Sequence, residues 1–263
     1  MRLSVPDHVL RAFGQHGSAV PLSGGQGTSW RAGDIVLKPV PVQGQETWSW
    51  LHHRLAPSLP RETALRIALP VAGSDGSLLV DGWGANRWMP GSGAGLSLRR
   101  RAEAARAFHR ATGAAPADLP TRQDPWARAD RQAWGQEDLP PEAPGALAEL
   151  LDQLPVTEQP LQIVHGDLAG NIIDHPVHGL GVLDLSLYRR PVAWAEAVLA
   201  LDVMGWETGH GGAAVQVGAS AEMLGRALAF RLCAELNLGA RRLSSPLMDL
   251  IPVVRRLADL RGR

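Results

Sequence analysis

The sequence predicts an α+β fold of two lobes, a small N-terminal lobe with an antiparallel sheet and one helix and a larger, mainly helical C-terminal lobe. Residues 17–90 are mostly short β-branched and apolar runs separated by turns that contain Gly or Asp, a pattern typical of antiparallel strands. From residue 98 onward, apolar side chains recur at the spacing of amphipathic helices. Between them, residues 91–95 read Gly-Ser-Gly-Ala-Gly, which is typical of a linker. We therefore expect lobes of residues 1–90 and 91–263.

The first lobe begins with a short amphipathic helix over residues 6–16. Its other predicted elements are, in order, two strands around the Gly-rich turn 23–27, a strand over 35–40, a helix over 45–55, a hairpin of strands 67–72 and 78–80, and a strand over 87–89. Lys38 lies within the apolar strand 35–40. Lysine is rarely buried without a partner, so this position indicates that the ammonium group has one.

The second lobe is predicted to consist mainly of helices. They cover residues 98–112, 124–134, 144–154, 191–204 and 222–238, followed by a last helix that starts at Ser245 and that Pro252 should kink. Two strands and their loops interrupt this series near its centre. His175 and His178 lie between these strands and could bind a metal as a pair, but we interpret them as the tip of a hairpin.

Composition excludes several classes of partner. The chain has 26 basic and 26 acidic residues and no block of like charge, so neither nucleic acid nor a membrane surface is an expected partner. No apolar run approaches the ~20 residues of a transmembrane helix. The single cysteine, Cys233, excludes an internal disulfide and suits a reducing compartment, so we expect a cytoplasmic location.

The chemistry-bearing residues are concentrated in residues 161–185. An apolar run leads into His165-Gly166-Asp167, Asn171 follows, and a second apolar run leads into Asp184. Side chains at strand ends and in the loops between strands are where rigid scaffolds place chemistry. A carboxylate, with an ordinary pKa of about 4, can accept a proton at neutral pH. Amide and carboxylate oxygens are also the ligands that Mg²⁺ prefers.

These motifs resemble the aminoglycoside phosphotransferase family, the small-molecule kinase branch of the protein-kinase-like fold. The resemblance is carried by residues 164–168, 171–173 and 182–184, and by the order of the elements from about residue 20 to 200. It implies transfer of the γ-phosphate of ATP or GTP to a hydroxyl group, with Mg²⁺ as cofactor. It further implies that Asp167 is the catalytic base and that Asn171 and Asp184 are the metal ligands.

The resemblance also assigns a set of residues to the nucleotide. They are Gly24, Gly25, Gly27, Thr28, Lys38, Glu46, Trp88 and Met89. The glycines would let backbone N–H groups approach the phosphates, and Lys38 would pair with those phosphates. Glu46 would hold Lys38, with Glu62 as the alternative. Residues 88–91 would form the hinge that hydrogen-bonds adenine, and His165 would brace the catalytic loop through a hydrogen bond.

Two features depart from the family pattern. Asn171 follows Asp167 by four residues, where the family has five. The Gly-rich turn is neither G-x-G-x-x-G nor a Walker A motif. The short spacing supports an alternative hypothesis, a catalytically degenerate kinase fold that binds nucleotide or a partner. A protein kinase is less favoured, because no Ala-Pro-Glu motif follows Asp184.

The acceptor is expected to be a small molecule that carries a hydroxyl group. Acidic and basic side chains nearly balance from residue 192 to the C-terminus, which disfavours a polycationic aminoglycoside. A sugar, an amino sugar or an amino alcohol fits better. We expect the protein to be a monomer or a weak dimer.

Overall fold

The first lobe is built on an antiparallel sheet. The computed structural model describes the chain from Ser4 to Asp259 except for residues 23–26, 62, 155–157 and 209–211. Within that part, the strands of this sheet are β1 (Val20–Pro21), β2 (Trp30–Ala32), β3 (Ile35–Pro39), β5 (Pro70–Val71), β6 (Leu79–Val80) and β7 (Trp83–Arg87). The order is β1-β2-β3-β7-β5, and β6 also pairs with β7.

The N-terminal helix forms as its amphipathic pattern predicted, and its apolar side packs on this sheet. Helix α1 (Asp7–Ala12) buries Val9 and Leu10. These side chains pack with Leu37 of β3 and Ala85 of β7 in a core of their own. The helix is shorter than the expected 6–16, because the chain leaves the helix at Phe13 and Gly14 takes a left-handed φ of 72°.

The expected hairpin of residues 67–72 and 78–80 is wrong. The turn between them forms, with the Gly73 N–H donating to the Ser77 carbonyl at 2.8 Å. However, β5 and β6 each pair with β7 and not with each other. Strand β7 also begins at Trp83 and ends at Arg87, whereas the sequence predicted a strand over 87–89. The apolar pattern marked the strands but could not identify their partners.

The helix after β3 follows the predicted range closely. It comprises α2 (Gln45–Trp50), a π-helical turn (Leu51–Leu55) and α3 (Ala56–Ser58). Its buried side chain Trp48 lies directly on the backbone of β7, where a Cβ atom added to Gly84 would be 2.6 Å from the indole. Glycine is therefore required at position 84 for this helix to pack on the sheet.

The functional stretch lies on two small sheets. Strands β9 (Ile172–His175) and β10 (Gly179–Val182) form the predicted hairpin, and β4 (Arg66–Ile67) pairs in parallel with β10. Strands β8 (Gln162–His165) and β11 (Leu187–Arg190) form an antiparallel pair. Because β4 belongs to the expected 1–90 lobe but pairs with a strand of the other, the division at residue 90 stays a prediction.

The glycine-rich linker is attached to the second lobe. Ser92 and Asp174 exchange backbone hydrogen bonds of 3.0 Å in both directions, so residues 91–93 lie along β9. A Cβ atom on Gly93 would be 2.8 Å from the Ile172 carbonyl oxygen. The predicted linker is therefore a segment whose glycines allow close backbone contact.

The rest of the second lobe is helical, as predicted. Its helices are α4 (Leu98–Ala111), α5 (Pro125–Ala133), α6 (Gly145–Asp152), α7 (Val192–Val203), α8 (Gly212–Val217), α9 (Ala221–Asn237), α10 (Ser245–Met248) and α11 (Ile251–Asp259), with a π-helical turn (Met204–Thr208) after α7. Helix α9 is central and buries a core with α5 and α7. Within the described ranges, no helix combines the length and apolar character needed to cross a bilayer.

Candidate active site

The catalytic loop starts where β8 ends, and a buried histidine fixes it. The Asp167 N–H donates to His165 Nδ1 at 3.0 Å, and His165 Nε2 lies 3.2 Å from the Leu183 carbonyl oxygen. Since Nδ1 accepts a hydrogen bond, Nε2 carries the ring proton and donates a hydrogen bond to the Leu183 carbonyl oxygen. Burial lowers the pKa of His165, which keeps the ring neutral. The imidazole thus ties the loop of Asp167 to the strand end that precedes Asp184, the bracing role predicted for it.

Asn171 reaches the site despite the short spacing. Its Nδ2 donates to the Asp167 carbonyl oxygen at 2.7 Å and to Asp167 Oδ2 at 3.0 Å. The backbone carbonyl oxygen of Asn171 accepts from the Leu183 N–H at 2.8 Å. Because the amide nitrogen faces Asp167, the amide oxygen remains available for a metal ion.

Asp184 and Lys38 form an ion pair that joins the two lobes. Lys38 Nζ donates to Asp184 Oδ1 at 2.5 Å. Partial burial acts to raise the pKa of Asp184, but the Lys38 ammonium outweighs it and holds this pKa below its usual range. Asp184 also has a left-handed φ of 42°, which is strained for a non-glycine residue. A strained carboxylate at a cleft is a feature of functional sites.

Glu46 does not hold Lys38 in this structure. Its side chain is exposed on α2, and no ion pair joins it to Lys38 within the described residues. The alternative, Glu62, lies outside the described residues. Helix α2 instead presents Trp48, whose ring centre is 5.4 Å from Lys38 Nζ. The predicted helix does lie beside the lysine, but its contact there is made by Trp48, and the role of Glu46 stays a prediction.

A cavity of about 290 Å³ lies between the lobes and contains the predicted nucleotide residues of the hinge. Its apolar walls are Leu22, Val36, Ala68, Met89, Ile173 and Leu183, and its polar end is Lys38, Asn171 and Asp184. The Trp88 N–H is engaged, donating to the Asp34 carbonyl oxygen at 2.7 Å. The Met89 N–H has no hydrogen-bond partner among the described residues, so the hinge offers one free donor there.

No pattern in the sequence pointed to Asn86, which also lines this cavity. Its Nδ2 donates to the Ala68 carbonyl oxygen at 3.1 Å, which fixes the orientation of the amide. Its Oδ1 is buried and lacks a partner within the described chain. A buried amide oxygen without a donor costs free energy, so this position favours a ligand that supplies one.

The Gly-rich turn is described only in part. Gly24 and Gly25 lie outside the described residues. Gly27 has a left-handed φ of 68°, a conformation that glycine adopts without strain. Thr28 lines a second cavity of about 330 Å³ together with Lys38 and Asp184. The end of the turn thus faces the same charged pair as the hinge cavity.

A third cavity, of about 310 Å³, lies on the other side of the catalytic loop. It is lined by Asp167, Trp126, Trp206 and Glu235, and by Asp202 and Arg231. Arg231 Nη2 donates to Asp167 Oδ1 at 2.8 Å. No sequence pattern indicated this contact, since Arg231 belongs to a regular apolar helix 64 residues away from Asp167.

The donor set fits Mg²⁺ bound together with nucleotide phosphates. Asn171 and Asp184 both line the hinge cavity, and their side-chain oxygens are of the hard type that could bind the metal. The described residues contain no cluster of three or more His, Cys, Asp or Glu side chains that could hold a metal alone. Mg²⁺ is usually held by one or two protein ligands, with phosphate and water completing the octahedron. Two oxygen-bearing side chains on one cavity agree with this coordination.

Solved structures of small-molecule kinases share this fold. An aminoglycoside phosphotransferase from Alicyclobacillus acidocaldarius superimposes with a TM-score of 0.59 at 17% identity, covering 100% of this chain and 97% of that one. The GDP complex of aminoglycoside 2'-phosphotransferase-IIIa gives 0.60 at 14% identity, covering 94% and 96%. A putative fructosamine-3-kinase from Thermobifida fusca gives 0.53 at 19% identity, covering 98% and 99%. These similarities establish the bilobal kinase-like fold.

The sequence itself assigns the family. No curated protein matches the chain. A family model does match, that of the phosphotransferase enzyme family named APH, over residues 48–230. This range covers more than half of the chain and contains Asp167, Asn171 and Asp184. The chain therefore belongs to the APH phosphotransferase enzyme family.

Proposed function

We propose that the protein transfers the γ-phosphate of ATP to a hydroxyl group of a small molecule, with Mg²⁺ as cofactor. The observation that carries this proposal is that the catalytic loop lies between two cavities, since Gly170 lines both and Asp167 lines the second. One cavity holds the charged groups Lys38 and Asp184, and the other holds aromatic and acidic side chains. Phosphoryl transfer depends mainly on positioning and charge neutralisation, and the two cavities would supply both on either side of this loop.

Different residues of the hinge cavity would contact the base, the phosphates and the metal of the bound nucleotide. The adenine ring would lie between Val36 and Leu183 and accept a hydrogen bond from the Met89 N–H. Lys38 would exchange its ion pair with Asp184 for the phosphates, which frees Asp184 and Asn171 to hold Mg²⁺. The bound metal would neutralise charge on the transferred phosphoryl group.

Asn86 favours ATP over GTP. The residue lines the hinge cavity, and its fixed amide leaves a buried oxygen that can only accept. Adenine carries an exocyclic amino group that donates, whereas guanine carries an oxygen at the same position. A buried acceptor facing an acceptor oxygen is unfavourable, so guanine is the poorer fit.

Asp167 is proposed as the base that orients the acceptor hydroxyl and accepts its proton. The carboxylate lines the third cavity, where the acceptor would bind. At about 310 Å³ this cavity lies at the small end of the usual range for ligand pockets. This size favours a compact acceptor over a multi-ring aminoglycoside.

The side chains of the acceptor cavity favour an amino sugar or an amino alcohol. Asp202 is neutralised by Arg231, which leaves the Glu235 carboxylate as a partner for one ammonium group. Trp126 and Trp206 offer faces for a sugar ring or an ammonium group. Beside the proposed base Asp167, the cavity therefore combines one further carboxylate that Arg231 does not pair with, Glu235, and aromatic surface.

A screen of ATP consumption against sugars, amino sugars and amino alcohols tests this function. Turnover should require Mg²⁺ and should fall on the order of 10²- to 10⁴-fold in Asp167→Asn, because the variant can orient the hydroxyl but not accept its proton. Nucleotide binding by this variant should remain. Metal-dependent nucleotide binding without turnover of any acceptor would instead support the degenerate kinase fold.

A further inference from the structure

The carboxylate of Asp167 is held by a chain of ion pairs, called the relay below, which begins on helix α7 and passes through helix α9. Arg231, near the middle of α9, donates from Nη2 to Asp167 Oδ1 at 2.8 Å. The same guanidinium donates from Nε to Asp202 Oδ1 at 2.8 Å and from Nη2 to Asp202 Oδ2 at 2.5 Å. Asp202 lies at the end of α7. A carboxylate on α7 thus fixes an arginine on α9, which in turn contacts the catalytic loop.

The burial of this relay makes it rigid. The side chains of Arg231 and Asp202 are 13% and 5% exposed, whereas that of Asp167 is 46% exposed. A planar guanidinium held by a two-point contact has little rotational freedom, and a lysine could not reproduce that geometry. Burial acts to lower the pKa of Arg231, but Asp202 and Asp167 hold it above its usual range, so the group stays charged.

Two donors on opposite oxygens fix the half-exposed Asp167. Arg231 occupies Oδ1, and Asn171 Nδ2 occupies Oδ2 at 3.0 Å. Each carboxylate oxygen can accept two hydrogen bonds, so each keeps a free position. The donors come from different elements, and the rotation of the carboxylate is therefore set by both. Without Arg231 only the donor from the same loop would remain.

We propose that Arg231 is a positioning residue for the transfer reaction: held by Asp202, it orients the Asp167 carboxylate toward the acceptor cavity. This inference rests on the proposed role of Asp167. The ion pairs of Arg231 within the described chain are with Asp167 and Asp202. Its loss should therefore affect the chemical step and leave nucleotide binding nearly intact.

Arg226 provides a matched control on the same helix. Its side chain is 12% exposed and pairs with Glu222 at 3.3 Å, away from the catalytic loop. Arg231→Gln should lower kcat on the order of 10²-fold, the usual effect of a reacting group displaced by about 1 Å, with little change in KM for ATP. Arg231→Lys should recover part of the loss. Equal kcat values for R231Q and R226Q would overturn the proposal.

A double-mutant cycle tests whether Asp202 acts through Arg231. Asp202→Asn should lower kcat in the wild-type background and have little further effect in R231Q, because the two side chains work as one unit. Losses that simply add would show that Asp202 acts independently and would contradict the relay.

Crystal structures of R231Q and R226Q provide a readout that does not need turnover. In R231Q the Asp167 carboxylate should rotate so that Oδ1 leaves its present position, because only the Asn171 hydrogen bond to Oδ2 remains, and in R226Q both oxygens should stay in place. An unchanged carboxylate in R231Q would overturn the positioning role even if activity fell. If the wild-type protein transferred phosphate to no acceptor, the proposed function would fail, and these structures would still decide whether Arg231 positions Asp167.

Discussion

At the scale of single residues, Asp184 combines a charge with an unusual backbone conformation. Its φ of 42° is tolerated by Asp and Asn better than by other non-glycine residues. We therefore expect Asp184→Asn to fold but to lose Mg²⁺-dependent nucleotide binding, because the amide carries no charge for the metal. Asp184→Ala should show the same loss and an additional destabilisation of about 1 kcal/mol from the backbone. Calorimetric titration of ATP with and without Mg²⁺, and thermal melts, measure the two effects.

Asp81 is the control for this pair of variants. It also has a left-handed φ, of 49°, but lies on the exposed turn between β6 and β7. Asp81→Asn should bind nucleotide like the wild-type protein. Wild-type affinity for the metal-nucleotide complex in Asp184→Asn would contradict the assignment of Asp184 as a metal ligand.

The sequence predicted residues of this site only where order along the chain carries the signal. Asp167, Asn171 and Asp184 follow apolar strands at short separations, and Lys38 is a lysine within an apolar strand, so each has a local pattern. Arg231 and Trp48 have none. Each makes its contact because two elements pack together, and the sequence of one element does not contain that information.

At the scale of elements, helix α4 contacts strand β8 through a buried histidine, where the His165 N–H donates to His109 Nε2 at 3.5 Å. His109 of α4 is buried, and burial lowers its pKa from 6.5 to about 3. Below pH 6.5 this histidine is protonated in the unfolded chain but stays neutral in the folded chain, so the free energy of unfolding decreases as the pH falls. We expect a loss of about 1.4 kcal/mol per pH unit between pH 6.5 and about 3 from this group. Urea unfolding at several pH values measures it.

His16 is an exposed histidine and serves as the control. His109→Gln should have a weaker dependence of stability on pH than the wild-type protein below pH 6.5. His16→Gln should keep the wild-type dependence. Identical pH profiles for H109Q and the wild-type protein would show that His109 does not carry this effect.

Glycine positions in the linker give a second test at this scale. Gly93→Ala would place a Cβ atom 2.8 Å from the Ile172 carbonyl oxygen, and a backbone atom cannot move away cheaply. We expect a destabilisation of about 1 to 3 kcal/mol in denaturant unfolding. Gly145→Ala is the control, because nothing lies within 4 Å of that Cβ atom at the start of α6. Equal stability of the two variants would mean that residues 91–93 are not held against β9.

The elements themselves were largely predictable, whereas their pairings were not. The helices of the second lobe carry strong apolar periodicity, and α4, α5, α7 and α9 lie within a few residues of their predicted ranges. The strands β5 and β6 also form near their predicted positions. Their common partner β7 was not predictable, since pairing depends on the whole sheet and not on the turn that joins two strands.

At the scale of the whole molecule, the ion pair of Lys38 with Asp184 is a contact between lobes that nucleotide binding must exchange. ATP with Mg²⁺ would replace it with a larger set of contacts to both lobes. A ligand at about 100 times its Kd stabilises the folded state by about 2.7 kcal/mol, which corresponds to a Tm increase of about 5 to 10 °C in a chain of this size. The increase should largely disappear with EDTA, because ATP alone leaves its phosphate charge facing the Asp184 carboxylate.

GTP distinguishes the nucleotide assignment from general phosphate binding in the same experiment. Both nucleotides present identical phosphates to Lys38 and the metal ligands, so a difference between them reports on the base. At equal concentrations GTP should give a smaller increase in Tm, because its base faces the buried Asn86 oxygen with an acceptor. Asn86→Leu should reduce that difference, since leucine removes the acceptor while keeping a similar volume. An equal or larger increase with GTP in the wild-type protein would contradict the ATP preference while leaving the metal-dependent binding of nucleotide intact.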